Sequence, residues 1–413
     1  MSEREQKALA IAAKSKLTKR GDNWIVPSQT GSGKYTVDSE LQHCTCPDYE
    51  LRKLKCKHIF AVEYTIEREQ SITETTDGET STTTVTETVK VTKRVTYKQE
   101  WTAYNQAQMN EKHILQSLLN ELCGLIVEPA QKMGRPRLMY RDMVFSAAYK
   151  VYCGMSTRRF TTDLCEAQDK GYVSKAAHFN SVSRYLDNPA LTQILRDLIT
   201  QSSLPLKAIE SDFAVDSSGF STCQYVRWFD AKYGKEVDAH DWIKVHLMCG
   251  VKTHIVTSVE ISGRHSNDSP YLPGLVNKTA KSFNVNEVSG DKGYSSLENH
   301  EAIAAIGATP YIAFKSSATG AVGGTFQKMF HYYSFKRDEF LASYHKRSNV
   351  ESTFNMIKAK FGGSIKSKNN TAQLNEALCK VLCHNICCLI QSMFEFGIEP
   401  TFSAESAVAP NVG

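Results

Sequence analysis

The fold of this chain is decided by one stretch, Tyr344-His-Lys-Arg-Ser-Asn-Val-Glu351-Ser-Thr-Phe-Asn-Met-Ile-Lys358. At about 100° of rotation per residue, a helix over this stretch gathers its polar side chains on one narrow face. That face holds Tyr344, Arg347, Ser348, Glu351, Asn355 and Lys358, and the opposite side holds Val350, Phe354, Ile357 and Phe361. The pattern predicts a helix that packs on a core and presents one carboxylate between cations. Taken alone, it fits a solvated surface helix equally well.

Two strands upstream are predicted to end in an aspartate. An apolar segment from Ala208 leads into Asp216 and a Ser-Ser-Gly turn, and Asn286–Gly290 leads directly into Asp291. Apolar and alternating patterns predict further strands, and one helix lies among them. The predicted strands cover 226–229, 244–250, 255–262 and 309–314, and the helix covers 295–306. This part of the chain is therefore expected to form a mixed α/β fold.

Asp216, Asp291 and Glu351 form the candidate catalytic set. Three carboxylates brought close together would repel one another and raise one another's pKa, and divalent cations remove that penalty. Hard oxygen ligands suit magnesium, and a pair of such ions can position an attacking hydroxyl against a phosphodiester. Asp212 and Asp268 are alternative acids at this stage, and Asp216 is preferred because an apolar segment precedes it and a glycine turn follows.

Residues 204–390 resemble a DDE transposase of bacterial insertion sequences. The spacing Y-x2-R-x3-E-x6-K of that group occurs at Tyr344, Arg347, Glu351 and Lys358, with Asp216 and Asp291 in the places of the first two acids. The resemblance implies an RNase H-like catalytic domain that uses two Mg²⁺ (or Mn²⁺) ions to cut element ends and join them to target DNA. It also implies that Arg347 and Lys358 contact phosphates and that Tyr344 positions a nucleotide.

Lys292, beside the second acid, is a further candidate for a phosphate contact or a plain exposed lysine. The interval between Asp291 and Glu351 leaves little room for the strand-rich insertion of relatives that form DNA hairpins.

A second motif predicts a zinc site near the start of the chain. Cys44-x-Cys46 in extended chain directs both sulfurs to one side, and Cys56-x-His58 begins a helical pattern. Four such ligands suit a closed tetrahedral Zn²⁺ site, which would stabilise a segment too small to fold by its own core. The pattern resembles the SWIM zinc finger, whose ligand spacing is C-x-C followed by C-x-H. His43 is expected not to be a ligand.

The region between the two motifs is less specific. Residues 66–97 alternate Thr with Val and predict a β-hairpin arm, with a disordered linker as the alternative. Residues 98–203 show helical periodicity, compatible with a helix-turn-helix unit or a plain bundle. Gly134-Arg135-Pro136-Arg137 resembles the core of an AT-hook, which would place Arg135 and Arg137 in a minor groove, or is a basic hinge.

Composition sets the remaining expectations. The net charge of +5 is compatible with a nucleic-acid partner. The sequence contains no run of about eighteen apolar residues, so no membrane span is predicted. The charged N-terminal sequence lacks an apolar signal core, so a cytoplasmic, nucleoid-associated protein of a bacterium or archaeon is expected, with cysteines as thiols or metal ligands. Cys379, Cys383 and Cys387 are predicted to be core residues of a helix rather than a metal site.

The resulting prediction is an α+β multidomain chain. Its parts are a SWIM-like zinc finger (1–65), the hairpin arm or linker (66–97), a helical DNA-binding region (98–203), an RNase H-like DDE domain (204–395) and a tail (396–413). The leading hypothesis is a transposase that binds terminal inverted repeats and target DNA as a homodimer or higher multimer. The alternatives are an RNase H-like nuclease without strand transfer and a non-catalytic, zinc-dependent DNA-binding regulator.

Overall fold

The structure is a computed structural model. It describes residues 17–28, 33–38, 42–77, 80–87, 100–222 apart from 132 and 135, 241–315 and 317–402, together with the single positions 4, 7, 8 and 11. The chain divides into two compact units, residues 1–98 and 99–413, which are described separately below.

The first unit begins with a small antiparallel sheet. Its strands are β1 (Thr18–Arg20), β2 (Asn23–Pro27), β3 (Lys34–Asp38) and β4 (His43–Cys44), in that spatial order. Helices α1 (Pro47–Arg52) and α2 (Lys57–Glu69) follow. Trp24, Val26 and Val37 from the sheet and Ile59 from α2 are buried together, so sheet and helix share one small core among the described residues of this unit.

A β-hairpin follows α2. Strands β5 (Gln70–Asp77) and β6 (Thr80–Glu87) pair antiparallel from Gln70↔Glu87 to Asp77↔Thr80. This hairpin lies within residues 66–97, where the sequence predicts a hairpin arm or a linker. The rest of the alternating pattern, from Val89 to Tyr97, lies outside the described residues.

The second unit opens with helices. They are α3 (Trp101–Gly124), α4 (Tyr140–Cys153), α5 (Thr161–Asp169), α6 (Phe179–Leu186) and α7 (Pro189–Ser203). Asn188 caps α7 by accepting a hydrogen bond from the backbone N–H of Ala190 (3.0 Å), and Pro189 takes the first helical position, where no N–H is needed. The apolar faces of α3, α4 and α7 are buried in one common core.

A five-stranded mixed sheet comes next, and it fits the fold class predicted from the sequence. Its strands are β7 (Asp212–Ser221), β8 (Trp242–Gly250), β9 (Val256–Gly263), β10 (Glu287–Gly290) and β11 (Thr309–Ile312), in the spatial order β11-β10-β7-β8-β9. The pairs β11/β10 and β10/β7 are parallel, and β7/β8 and β8/β9 are antiparallel. Helices α8 (Leu272–Ala280) and α9 (Leu297–Ala305) link the later strands.

Two details of the predicted strands change. Asp216 lies in the middle of β7 and not at its end, because the strand continues through Gly219, paired with Lys244, to Ser221. The Ser-Ser-Gly sequence is therefore strand and not turn. The strand predicted at 226–229 lies outside the described residues.

Between β11 and the acid-bearing helix, the chain forms a pair of helices. These are α10 (Gly324–Phe335) and α11 (Arg337–Tyr344), and Phe314, Phe326 and Phe340 form an aromatic core beneath them. No strand occurs in the described residues between Ala313 and Tyr344, in keeping with the short interval noted above.

The continuous helix predicted for Tyr344–Lys358 is wrong at its start. Tyr344 ends α11, residues 345–347 form a 3₁₀ turn, and α12 covers Ser348–Phe361. From Val350 onward the predicted apolar side is correct, because Val350, Phe354 and Ile357 are buried. The helix that carries Glu351 therefore begins at Ser348, about one turn after Tyr344, where the predicted polar face begins.

The last described helix, α13 (Asn370–Phe396), is buried over most of its length. It is the one helix of the described residues that is long and apolar enough to cross a membrane by length and composition. It packs against α3, α4 and α7 and also contributes to the core below the sheet. Cys379 and Cys383 are fully buried in that core, as predicted.

Candidate metal centre and active site

The four residues predicted to bind zinc lie together. One ligand atom from each lies within 4.8 Å of all the others, and all four side chains are buried. The four are Cys44, Cys46, Cys56 and His58. This grouping is the one cluster of three or more Cys, His, Asp or Glu side chains with that spacing among the described residues.

Local structure explains how the first two sulfurs meet. Cys44 ends β4, and Cys46 remains extended (φ −81°, ψ 149°) as the N-cap of α1. Because side chains alternate along an extended chain, positions 44 and 46 point to the same side. Pro47 starts the helix, and Lys53 ends it in the left-handed conformation (φ 55°), which turns the chain back toward Cys56.

The electrostatics of this cluster favour a metal cation. The Nδ1 atom of His58 lies 3.9 Å from the sulfurs of both Cys44 and Cys56. The hydrogen bond from the Cys44 thiol, with help from His58, lowers the pKa of Cys56. A soft Cys₃His donor set with one thiol already inclined to ionise fits Zn²⁺, which binds thiolates. His43 is exposed and makes an edge contact with the ring of Tyr49.

In the second unit, the sheet brings the first two candidate acids side by side. Val215 of β7 and Gly290 of β10 are register partners in a parallel pair, and Asp216 and Asp291 are the residues that follow them. Neighbouring strands lie about 4.8 Å apart, so the two carboxylates start from adjacent positions on the backbone. The Asp216 carboxylate accepts a hydrogen bond from the backbone N–H of Ser217 (2.8 Å).

The third acid reaches this place from α12. The Arg347 Nη1 atom lies 2.7 Å from Glu351 Oε1 and 3.7 Å from Asp216 Oδ2, so one guanidinium contacts two of the three acids. Burial of Val350, Phe354 and Ile357 against the core that includes Ala214 and Phe220 of β7 holds the helix in this position. Half of the Glu351 side chain remains exposed (51%), which leaves it accessible to a substrate.

Burial and neighbouring charges both act on the first acid of this site. Burial raises the pKa of Asp216 to about 6, the Ser217 N–H and Arg347 lower it, and Asp291 and Glu351 raise it further. Both of the other acids therefore repel the Asp216 carboxylate. Carboxylate oxygens are hard donors of the kind that fit Mg²⁺ or Mn²⁺.

The other residues of the predicted DNA-contacting set lie around the acids. The Lys358 ammonium donates to Ser218 Oγ (2.6 Å), two residues beyond Asp216 on β7, and burial lowers its pKa. Tyr344 is half-buried, stacks on Phe340 and has the Arg347 guanidinium 5.9 Å from its ring centre. Lys292 is exposed in the 3₁₀ turn that follows Asp291.

The basic motif before α4 is only partly described. Arg135 lies outside the described residues, and the Arg137 guanidinium lies over the ring of Tyr140, 5.7 Å from its centre. Arg137 is thus held on the helical region by an aromatic contact. The described residues of this motif make no contact with the three carboxylates.

The two alternative acids have partners of their own. Asp212 forms an ion pair with Lys346 (2.7 Å). Asp268 pairs with Lys244 (2.5 Å) and accepts a hydrogen bond from Ser217 Oγ (2.8 Å). Each of these two acids has a closer cation than Asp216, from which the Arg347 Nη1 atom lies 3.7 Å away.

Sequence reasoning missed Lys346 and Ser218. Lys346 is off the polar stripe of an ideal helix, and only the 3₁₀ turn directs it to the sheet. The sequence predicts a turn at Ser218, whereas the place of this residue in β7 puts it beside Lys358. The continuation of strand alternation through positions 216, 218 and 220 is the signal that could have identified Ser218.

Comparison with known families agrees with both motifs. Residues 207–386 match the family model described as the transposase DDE domain, and residues 31–67 match that of the SWIM zinc finger. The two matches confirm the resemblances drawn from the sequence motifs. No solved structure matches the chain.

Proposed function

Because the chain carries a transposase DDE domain and a SWIM zinc finger, we propose that it cuts DNA at the ends of an insertion sequence and joins those ends to target DNA. The proposal is supported by two observations: Asp216 and Asp291 follow register partners on the parallel strands β7 and β10, and Arg347 contacts both Asp216 and Glu351. The transposase family of the domain supports DNA as the partner. Assembly as a homodimer or higher multimer and action at the nucleoid of a bacterium or archaeon are parts of the same proposal.

The three carboxylates would hold two Mg²⁺ or Mn²⁺ ions, which would supply charge neutralisation and activate the attacking oxygen when bound. In the first reaction, a water oxygen forms a new bond to phosphorus while the 3′ oxygen leaves and takes a proton. In the second, the freed 3′ hydroxyl forms a bond to a target phosphorus, and the bond to the target's own 3′ oxygen breaks. The number of phosphodiester bonds is conserved in the second step, so no external energy source is needed.

The basic side chains have distinct tasks in this proposal. Arg347 contacts both Glu351 and Asp216, so it restrains the two acids and offers its remaining N–H donors to a phosphate. Lys358 is fixed by Ser218 beside the same strand, where its ammonium can donate to a phosphate oxygen. Tyr344, beside the Arg347 guanidinium, offers an aromatic face on which a terminal base can stack.

The finger is proposed to hold one Zn²⁺ through its Cys₃His set. The close approach of four buried donors and the lowered pKa of Cys56 support this. Zinc would stabilise a unit whose core contains few large side chains.

The test uses the full chain with candidate terminal-repeat DNA in magnesium or manganese. Glu351→Gln is expected to abolish cleavage while DNA affinity stays within a few-fold of the wild type, because the substitution removes one negative charge and keeps the shape of the side chain. Glu339→Gln is the matched control, since Glu339 is an exposed acid of α11 paired with Lys336.

The products separate the candidate functions. Nicked DNA plus joined products supports transposition, and nicks without joining support a nuclease. Retained binding with no nicks in the wild type supports a regulator. Undiminished cutting by Glu351→Gln would refute the assignment of the catalytic acids.

A further inference from the structure

Lys346 connects the parts of the chain that carry the three acids. It lies in the 3₁₀ turn between α11 and α12, and its ammonium is 2.7 Å from Asp212 Oδ2 and 2.7 Å from Glu287 Oε2. Both contacts cross long stretches of sequence, and both bring the turn against the sheet.

The two carboxylates that hold Lys346 occupy equivalent places on the two strands. Asp212 and Glu287 are register partners in the parallel pair of β7 and β10. Each stands four residues before a catalytic acid, Asp216 or Asp291. One ammonium therefore fixes the starts of two acid-bearing strands to the turn that leads into the helix of the third acid.

The charges around Lys346 explain why a cation is needed at this position. Two carboxylates on adjacent parallel strands repel each other unless a cation lies between them. Side-chain exposures of 32% for Lys346, 22% for Asp212 and 25% for Glu287 mean that these bonds are partly shielded from water. Asn349 adds a hydrogen bond to the Lys346 carbonyl (2.9 Å), which fixes the turn at the beginning of α12.

Arg347, the residue that follows Lys346, also contacts two carboxylates. Arg347 contacts Asp216 and Glu351, whereas Lys346 contacts Asp212 and Glu287. Consecutive cations of one short turn thus contact β7 at two positions, Lys346 at Asp212 and Arg347 at Asp216. Arg347 contacts two of the three acids directly, whereas Lys346 contacts the strands four residues before the two aspartates.

We propose that Lys346 is a positioning residue that sets the distance between Glu351 and the two catalytic aspartates, and so sets the affinity of the acid site for divalent metal. This inference rests on the proposed function, because it takes Asp216, Asp291 and Glu351 as the metal-binding set. Lys346 acts through Asp212 and Glu287 and is assigned no contact with DNA.

The experiment measures Mn²⁺ binding by the full-length chain, zinc-loaded and free of DNA, from the loss of the electron paramagnetic resonance signal of free Mn²⁺. Lys346→Met removes the charge and keeps a side chain of similar length. Its half-saturating Mn²⁺ concentration is expected to rise roughly tenfold, the scale on which supporting contacts of metal sites act. DNA affinity and the KM for DNA are expected to stay within about twofold of the wild-type values. The kcat, which is the rate at saturating DNA, is expected to fall.

Three further variants make the measurement specific. Lys336→Met is the matched control, because Lys336 pairs with Glu339 on an exposed helix surface, and it is expected to behave as the wild type. Lys346→Arg keeps the charge and is expected to recover most of the Mn²⁺ affinity. The triple variant Asp212→Asn/Glu287→Gln/Lys346→Met removes the repulsion together with the cation, so it tests metal affinity even where Lys346→Met alone fails to fold.

The outcomes separate this inference from the proposed function. A folded Lys346→Met or triple variant with unchanged Mn²⁺ affinity would overturn the inference, and so would a variant that loses DNA affinity alone. A wild-type chain that binds Mn²⁺ through Glu351 but cuts no DNA would refute the proposed function. In that case, the Mn²⁺ affinities of the Lys346 variants still decide the role of Lys346.

Discussion

Replacing Asp216 by Asn is expected to stabilise the fold at neutral pH while it removes activity. Burial is the main reason that the pKa of this carboxyl rises from its usual 3.8 to about 6, and repulsion from Asp291 and Glu351 contributes. The folded chain pays for keeping the carboxylate ionised at pH 7.5. Asparagine keeps the shape of the side chain and an oxygen that can accept from the Ser217 N–H, but it carries no charge.

The size of the effect follows from the two pKa values. A rise from 3.8 to about 6 is roughly two units, and each unit corresponds to about 1.4 kcal/mol of free energy. The ionised carboxylate therefore destabilises the fold by at most about 3 kcal/mol at pH 7.5. Loss of the attraction to Arg347, 3.7 Å away, offsets part of the gain. A net increase in the free energy of unfolding of about 1 to 3 kcal/mol is expected.

The sign of the pH dependence is fixed by proton binding. Between pH 4 and 6, approximately, the folded chain holds a proton on Asp216 that the unfolded chain has released. The contribution of Asp216 to stability therefore falls as the pH rises through this interval and is constant above it. Asp216→Asn should lack this fall, so the difference between variant and wild type should grow from pH 4.5 to 6.5 and then level off.

Urea unfolding followed by circular dichroism, at several pH values and without added magnesium, measures this difference. Any loss of zinc at low pH affects both chains and cancels in the comparison. Asp241→Asn is the control, because that side chain is largely exposed (63%), and no stabilisation is expected there. An Asp216→Asn chain that is no more stable than the wild type at pH 7.5, or whose advantage does not depend on pH, would refute the reasoning.

Two further predictions concern the finger and the acid-bearing helix. Purified chain should contain about one zinc ion per chain, as measured by mass spectrometry of its metals. A Cys44→Ser/Cys56→Ser variant should lose this zinc, because two of the four donors are removed. Wild-type chain that contains no metal would contradict the zinc site. Phe354→Ala should lower the free energy of unfolding by about 3 to 5 kcal/mol, because this buried ring anchors α12 and its loss leaves a cavity. The control Phe335→Ala, at an exposed position of α10, should change the free energy of unfolding by less than about 0.5 kcal/mol in the same urea experiment. Equal effects of the two substitutions would show that Phe354 does not anchor α12.

The sequence was informative where function depends on short spacing. The zinc donors lie within one short segment, so the alternation of an extended chain and the first turn of a helix were enough to predict their meeting. Asp216 and Asp291 could be predicted as neighbours because each follows an apolar strand segment. The burial of Val350, Phe354 and Ile357 followed from helical periodicity.

The errors arose where distant residues control local structure. The break before α12 coincides with a turn held to the sheet by Asp212 and Glu287, both far away in sequence. A projection onto an ideal helix contains no 3₁₀ turn. It therefore puts Tyr344 on the same helix as Glu351 and puts Lys346 away from the polar face of that helix. Likewise, the extension of β7 beyond Asp216 depends on pairing with β8 from Trp242 to Gly250, which the Ser-Ser-Gly sequence does not indicate.

The position of α13 has a consequence for biosynthesis. This helix follows all three candidate acids in the chain, yet it fills the core shared by α3, α4 and α7 and lies below the sheet. A nascent chain on the ribosome therefore contains all three carboxylates before it contains the helix that completes their scaffold. The acids can take their final arrangement only after α13 has left the exit tunnel, so the order of synthesis makes this site one of the last parts of the protein to form.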